Sequence, residues 1–305
     1  SAWPGAWRAA LTQWQSGCLH AGRVVPLPGA QAYLLWQTLV ASWPLDIHAE
    51  SEAFADRVAQ WLRKALREGK QISSWSDPDS ALEDAACEWV RWLCCDVESQ
   101  PVRDQMRDFL AAVAAAGARL SLCHLALQLT CPGVPDVYQG SEGWDTSLVD
   151  PDNRRAVDFA ERRAWLADTR PWHALLDDWR SGVPKSRLLS ALLQLRRARP
   201  ALFAQGTLEP VDLQNDSSVL LFVRRWQQQS PLVGVHLRPG FPEQSSESLG
   251  ASGDVARHAA FGVLDLDDDP VAAVVPLGRV ALAVLVGEDR ARGPQHGGRG
   301  EVLAG

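Results

Sequence analysis

The hydrophobic pattern of this 305-residue chain changes its period once, near residue 203. Before that point apolar side chains recur mostly every three to four residues, the spacing of helices that bury one face. After it come short β-branched or apolar runs, separated by polar and glycine-rich segments, a pattern typical of strands. These runs cover residues 219–223, 232–237, 271–275 and 280–286. The pattern therefore predicts a helical part followed by a small all-β domain.

Apolar stripes at helical spacing predict several helices in the first 130 residues. One stripe begins near Phe54 and is closed by Gly69. Asp77 is expected to cap the next helix, and a later helix is expected to end at Gly117, because aspartate favours helix starts and glycine favours helix ends. Residues 120–129 partly alternate, as in a strand, but also match a helical stripe. We predict helix there because a helical run precedes them.

Residues 131–203 combine a predicted strand, a polar loop and two helices. Residues 134–138 are short, apolar and bounded by prolines and glycines, which indicates a buried strand. A loop follows, and helices are expected over residues 158–167 and 185–199. Residues 243–257 are predicted to form a mobile loop and residues 290–300 a disordered tail. The three predicted domains are residues 1–130, 131–203 and 204–305.

Charge and cysteine content exclude several classes of function. A net charge of −7 offers no electrostatic footprint for nucleic acid or an anionic membrane. No signal peptide or transmembrane run is evident, and the six cysteines lack metal-ligand spacing. We therefore expect no metal, no cofactor and reduced structural thiols, with Cys87 and Cys94 in the core of a cytoplasmic protein. The chain does not begin with methionine, which suggests that the natural N-terminus is missing.

The loop after residues 134–138 is rich in side chains that could bind or transform a sugar. Neighbouring carboxylates could supply the nucleophile and the proton donor of glycosyl transfer, and arginine and asparagine can hydrogen bond sugar hydroxyls. The same acids also suit turns and helix caps, as in Asp150-Pro151-Asp152-Asn153 and at Asp158. Both interpretations stay open from the residues alone.

Fourteen tryptophans are available to stack on pyranose rings. Core filling is the competing interpretation, and it is favoured for Trp61 and Trp89 because both lie on apolar helix stripes. Lone histidines such as His124 and His173 likewise suit structural roles better than catalytic ones.

Two runs of this loop region have a specific resemblance. Pro-Gly-Val-Pro-Asp-Val-Tyr-Gln-Gly at residues 132–140 resembles the eighth barrel strand of the maltooligosyl trehalose synthase family, in the α-amylase superfamily. Ser-Leu-Val-Asp-Pro-Asp-Asn-Arg-Arg at residues 147–155 resembles the loop that follows that strand. A weaker resemblance extends over roughly residues 1–240.

The resemblance implies a fold of mixed class, α/β plus all-β. The chain would be the C-terminal part of a (β/α)8 barrel with a large helical insertion, followed by a small antiparallel β-sandwich-like domain. The implied enzyme converts the reducing-end α-1,4 linkage of a maltooligosaccharide to α,α-1,1. In this superfamily the catalytic carboxylates follow barrel strands four, five and seven, which precede the part resembled here. No residue of this chain is therefore assigned to that triad, and the chain alone is expected to be inactive.

The resemblance also implies the binding residues and the partners. The expected partners are a maltooligosaccharide or another α-1,4-glucan and the missing N-terminal part of the same barrel, with no nucleic acid and no membrane. Two alternatives remain: a free-standing module that binds glucan through the loop and exposed tryptophans, or a structural or interaction module. The predicted substrate-binding residues are Tyr138, Gln139, Glu142, Trp144, Asp145, Asp152, Asn153, Arg154 and Arg155.

Overall fold

The computed structural model describes residues 3–45, 47–212, 219–227, 229, 232–236, 274–277 and 280–285. The helices in this part are α1 (Pro4–His20), α2 (Gly29–Ser42), α3 (Ile47–Gly69), α4 (Ser80–Cys95), α5 (Gln100–Thr130), α6 (Phe159–Ala167), α7 (Trp172–Asp177), α8 (Val183–Ala198) and α9 (Pro200–Gln205). The strands are β1 (Thr207–Pro210), β2 (Val219–Arg225), β3 (Leu232–His236), β4 (Val274–Leu277) and β5 (Val280–Leu285). The helical part and the later strands occur in the predicted order.

A first hydrophobic core lies among helices α1 to α4 and the first turns of α5. Helix α3 buries the stripe that predicted it, including Phe54 and Leu62. Trp36 meets Trp89 edge to face with ring centroids 5.3 Å apart, a favoured geometry for aromatic pairs. Trp61 is partly buried against the same core. The core-filling interpretation of Trp61 and Trp89 is therefore confirmed.

A second core lies where α5, α8, α9 and the sheet meet. Leu129 of α5, Leu192 of α8 and Phe222 of β2 are almost completely buried there. These residues come from all three predicted domains, because α5 ends at residue 130 and the sheet begins at residue 207. The boundaries at residues 130 and 203 stay a prediction.

Helix α5 contributes residues to both cores, because it continues to Thr130. The predicted helix end at Gly117 is therefore wrong. One glycine costs a helix about 1 kcal/mol relative to alanine, too little to interrupt a helix whose two halves are packed. The predicted helix over residues 120–129 is confirmed. By length and composition alone the helical segment Val97–Thr130 could cross a membrane, since an 18-residue window within it has a mean hydropathy of 1.6. Parts of this helix pack into both cores, and the expectation of no membrane partner stays a prediction.

The described strands form one antiparallel sheet in the order β1-β2-β3-β5-β4. Phe222 of β2 lies opposite Val233 of β3, and both side chains enter the second core. Strand β1 was not predicted, because it is only four residues long and ends in Pro210, a residue tolerated at sheet edges. The small antiparallel sheet is confirmed, whereas the sandwich-like arrangement stays a prediction. The predicted loop at 243–257 and tail at 290–300 lie outside the described residues.

The start of α4 differs from the prediction by two residues. The helix begins at Ser80, and the carboxylate of Asp79 caps it by accepting from the N–H of Leu82 at 3.1 Å. The N–H of Asp77 instead donates to Ser74 Oγ at 3.0 Å in the preceding turn. Both aspartates satisfy the sequence rule for a cap, so only the path of the chain distinguishes them.

Arg224 of β2 joins the sheet to the helices. Its side chain is buried, and burial lowers its pKa from the usual value. The guanidinium is satisfied by backbone carbonyls at the C-terminal ends of α5 and α9, where the helix dipole favours a cation. The acceptors are the carbonyl oxygens of Thr130 at 2.7 Å, Leu202 at 3.0 Å, Gly206 at 3.0 Å, Thr207 at 3.1 Å and Phe203 at 3.3 Å.

Candidate functional site

The segment that carries the sequence resemblance lies between the end of α5 and the start of α6. Its Val137 and Trp144 pack against the second core, and its Leu148 packs against the first. Residues 134–138 have no regular secondary structure and pair with no strand among the described residues, and Val134 is 98% exposed. The predicted buried strand is therefore not formed here. A buried strand needs backbone partners on its flanks, and the described strands all lie in the sheet that begins at residue 207.

The polar loop that follows is fastened to helix α3. Arg57 donates from Nε to Asp152 Oδ1 at 2.8 Å and from Nη2 to Asp152 Oδ2 at 3.0 Å. The same Nη2 donates to the carbonyl oxygen of Thr146 at 2.9 Å. Lys64, two turns further along α3, donates to the carbonyl oxygen of Asp150 at 2.6 Å. We call Arg57, Lys64 and Asp152 the loop clamp.

Asp152 is the buried centre of the loop clamp. Its side chain is 9% exposed, and Oδ2 also accepts from the backbone N–H of Leu148 at 2.6 Å. Burial opposes ionisation, but the hydrogen bonds from Arg57 and Leu148 outweigh it and hold the pKa of Asp152 below its usual value. A carboxylate held in its charged form acts as an anchor and not as a proton donor. Its predicted contact with a sugar stays a prediction.

The residues after Asp152 differ in their accessibility. Arg154 is 71% exposed and pairs with Asp150, so its guanidinium lies at the surface of the loop. Arg155 is half exposed and donates from Nη2 to Ser147 Oγ at 3.1 Å, which closes the loop on itself. Asn153 is partly buried, and its Oδ1 has no hydrogen-bond partner.

Glu142, Trp144 and Asp145 lie at the beginning of the loop, beside α6 and α8. Trp144 Nε1 donates to the carbonyl oxygen of Trp179 at 2.7 Å, which fixes the indole. The carboxylate of Asp145 accepts from the backbone N–H two residues further on, at 2.9 Å. Glu142 Oε2 lies 3.5 Å from Arg162 Nε, and both atoms are buried without a hydrogen bond.

Two cations from the following helices face this group. Arg162 of α6 stacks over the ring of Trp165 at 4.2 Å and donates to the carbonyl oxygen of Gly140 at 3.2 Å. Lys185 of α8 is partly buried, and burial lowers its pKa against the opposing effect of the carboxylates of Asp145 and Glu142. The acidic end of the loop is therefore balanced by positive charge.

The remaining predicted residues, Tyr138 and Gln139, lie on the turn before the loop. Their side chains are exposed, that of Tyr138 to 46%. The Tyr138 carbonyl oxygen accepts from both the N–H and the Oγ of Ser141, at 3.1 Å and 2.6 Å, which fixes the turn. Asp158 has the predicted capping role, since its Oδ1 accepts from the first N–H groups of α6 at 2.9 Å.

Sequence reasoning missed the basic residues that hold this site together: Arg57, Arg162 and Lys185. Arg57 and Lys64 stand seven residues apart on one helix face, and this spacing was the available signal. The partner of Arg57 lies 95 residues away in the chain, so no local pattern identifies it.

The arrangement suits binding more than bond cleavage. Asp150, Asp152 and Glu142 are each paired with an arginine of the chain, so they do not form a free pair of carboxylates. Tyr138 and Arg154 instead offer an exposed ring and an exposed guanidinium. Among the described residues, no group of three or more His, Cys, Asp or Glu side chains could hold a metal ion.

Known proteins are similar to this chain in both sequence and fold. A Mycobacterium tuberculosis protein provisionally named maltooligosyl trehalose synthase is 36% identical over 199 residues, which make up 65% of this chain and 24% of that protein. A crystal structure of a maltooligosyl trehalose synthase superposes with a TM-score of 0.65 at 26% identity, over 75% of this chain and 30% of that one. The maltooligosyltrehalose synthase of Arthrobacter ramosus superposes with a TM-score of 0.54 at 32% identity, over 72% and 28%. No protein-family model matches the chain.

The chain is thus similar, in its helical part and small antiparallel sheet, to a class of large enzymes. The resemblance to maltooligosyl trehalose synthases, predicted from residues 132–140 and 147–155, is confirmed. The chain spans about a quarter of the length of the curated relative that it matches.

Proposed function

We propose that the intact protein is an intramolecular transglucosylase that acts on maltooligosaccharides. It moves the reducing-end glucose from an α-1,4 to an α,α-1,1 linkage and so forms a trehalose end. The observation that carries the proposal is the polar loop: it carries the resemblance, is anchored to α3 by Arg57, and leaves Tyr138 and Arg154 exposed. We assign this loop to one wall of the sugar-binding pocket.

The chemistry is a retaining double displacement. A carboxylate attacks the anomeric carbon and breaks the α-1,4 bond, while an acid gives its proton to the departing O4 of the terminal glucose. The released glucose then turns, and its anomeric hydroxyl attacks the glycosyl-enzyme and returns a proton to the former acid. Water must be excluded, because it would otherwise take the place of glucose. The reacting carboxylates are expected outside this chain.

Residues 134–138 would form the last strand of a (β/α)8 barrel in the intact protein. The exposure of the apolar side chain of Val134 supports this assignment. In a complete barrel, neighbouring strands and helices would cover that side chain and would pair with the backbone on both sides. Helix α8 would then be the last barrel helix, and the first helices a large insertion. The sheet after residue 207 would be part of a β-sandwich-like domain.

A loss-and-gain experiment tests this function. The isolated chain incubated with maltopentaose is expected to form no trehalose end, and detectable formation would contradict the proposal. A chimaera in which the 199 matched residues replace their counterpart in the Mycobacterium tuberculosis relative should form trehalose ends. A folded but inactive chimaera, with the unaltered relative active beside it, would count against the function.

A glucan-binding module without catalysis is the second candidate. Trp75 favours it, because its indole is 60% exposed and rests on the guanidinium of Arg67 at 5.0 Å. A ring held in this way can stack on a pyranose. Millimolar maltopentaose would then bind to the chain, and Trp75→Ala would abolish that binding.

We also place the protein in the cytosol, because none of its six cysteines forms a disulfide in the described structure.

A further inference from the structure

We propose that the loop clamp positions the sugar-binding loop and thereby sets the affinity for maltooligosaccharide. This inference rests on the proposed function and extends it to Arg57 and Lys64, two residues on helix α3. Both are positioning residues, because their contacts are with the loop and not with a substrate.

The loop clamp connects the loop to a helix that is packed into the first core. Helix α3 is fixed by Phe54 and Leu62, which are buried in the first core. Arg57, whose side chain is 14% exposed, projects from the same helix toward the loop. A displacement of α3 or a loss of Arg57 would therefore be transmitted directly to the loop.

Three neighbouring positions of the loop are held from this one helix. Arg57 binds the carbonyl of Thr146 and the carboxylate of Asp152, and Lys64 binds the carbonyl of Asp150. No strand pairing holds the loop in the described structure, and only the short 3₁₀ turn Asp152–Arg154 gives it regular geometry. The direction in which Arg154 leaves the loop thus depends on the loop clamp.

Stabilisation of the fold alone does not explain why Arg57 and Asp152 form an ion pair. Replacing a buried ion pair by apolar residues is often neutral or stabilising, because desolvation offsets the attraction between the charges. A planar guanidinium forming two parallel bonds with a carboxylate does, however, impose a defined geometry. Small displacements of binding groups weaken recognition strongly, so geometry is the property that the loop clamp contributes.

The test measures sugar affinity in folded variants of the full chain. Arg57→Gln is expected to weaken the binding of maltopentaose by about tenfold, the effect of 1.4 kcal/mol. Lys64→Met, which removes a single hydrogen bond and should fold readily, is expected to weaken binding by a smaller factor. Hydrogen exchange of the Leu148 amide should accelerate in Arg57→Gln, since Asp152 loses its anchor.

Arg91→Gln is the matched control. Arg91 of α4 also pairs with an aspartate of α3, since its Nε and Nη2 donate to Asp56 Oδ1 at 3.3 Å and 3.0 Å, but neither residue contacts the loop in the described structure. The variant should leave maltopentaose affinity unchanged. Equal affinity in wild type and Arg57→Gln, or an equal loss in Arg91→Gln, would overturn the positioning role. Absence of binding by the wild-type chain would instead overturn the proposed sugar contact, and with it this inference.

Discussion

Arg67 and Glu83 form a two-pronged ion pair across the contact between α3 and α4. Arg67 Nε donates to Glu83 Oε1 at 2.9 Å, and Nη2 donates to Oε2 at 2.7 Å. The Glu83 side chain is fully buried, and Ser73 Oγ donates to it at 2.5 Å. The hydrogen bonds from Arg67 above all, with help from Ser73 and against the effect of burial, hold the pKa of Glu83 below its usual value.

Acid is therefore expected to weaken the fold through Glu83. Because its pKa is lower in the folded than in the unfolded chain, the unfolded chain takes up the proton first as pH falls. The stabilisation is fully present above the unfolded value of about 4.3 and is lost as pH falls through the folded value. Urea unfolding of Glu83→Gln should show lower stability at neutral pH and a flatter acid dependence. Glu88→Gln, at an exposed position of α4, should keep the wild-type slope; an equal flattening there would refute the assignment to Glu83.

Removal of Arg224 should destabilise the joint between sheet and helices. Arg224→Met leaves buried carbonyls of α5 and α9 without their donor, and each unsatisfied buried group costs about 1–3 kcal/mol. Chemical unfolding should therefore shift to markedly lower denaturant. Arg225→Met is the neighbouring control, since Arg225 pairs with Glu209 at the surface, and its effect should stay within about 0.5 kcal/mol. Similar shifts for both variants would contradict the special role of Arg224.

Gly143 should not tolerate a side chain. A Cβ built there would lie 2.5 Å and 2.7 Å from ring atoms of Trp165. Gly143→Ala is expected to cost about 1–3 kcal/mol by overpacking, and much less when Trp165→Leu removes the ring. Additive effects of Gly143→Ala and Trp165→Leu would disprove the contact between these two residues.

Gly117→Ala should instead stabilise the fold by about 0.5–1 kcal/mol, because Gly117 lies within α5 and an added Cβ would meet nothing within 4 Å.

Thiol reactivity should follow burial. Cys95 is exposed and should react first with a thiol reagent, whereas Cys18 and Cys94 are buried. Burial raises the pKa of Cys18 to about 11 and also raises that of Cys94, so little thiolate is present in either near neutral pH. Ellman titration of the native chain should show an early fast phase that Cys95→Ser removes. All six thiols should react after denaturation, and rapid native reaction of Cys94 would contradict this core.

Local sequence patterns predicted helices such as α3, but they failed where the structure of a segment depends on contacts with residues distant in the chain. The stripe at Phe54 and Leu62 identified α3 because its spacing is a property of adjacent residues. Residues 134–138 look like a strand by the same criteria, yet strand formation needs partners that the residues themselves do not supply. The prediction that a helix ends at Gly117 was wrong, because the helix propensity of glycine does not take into account that both ends of α5 are packed.

By itself the sequence determined the helix-then-strand order and the family resemblance, since both reside in contiguous residues such as 147–155. Only the tertiary structure decided what Asp152 does. In the sequence it belongs to a turn that could equally present a carboxylate to a ligand, whereas the fold brings Arg57 from 95 residues away to within 2.8 Å. Burial then requires a partner for the charge, and the arginine makes the carboxylate an anchor of the loop.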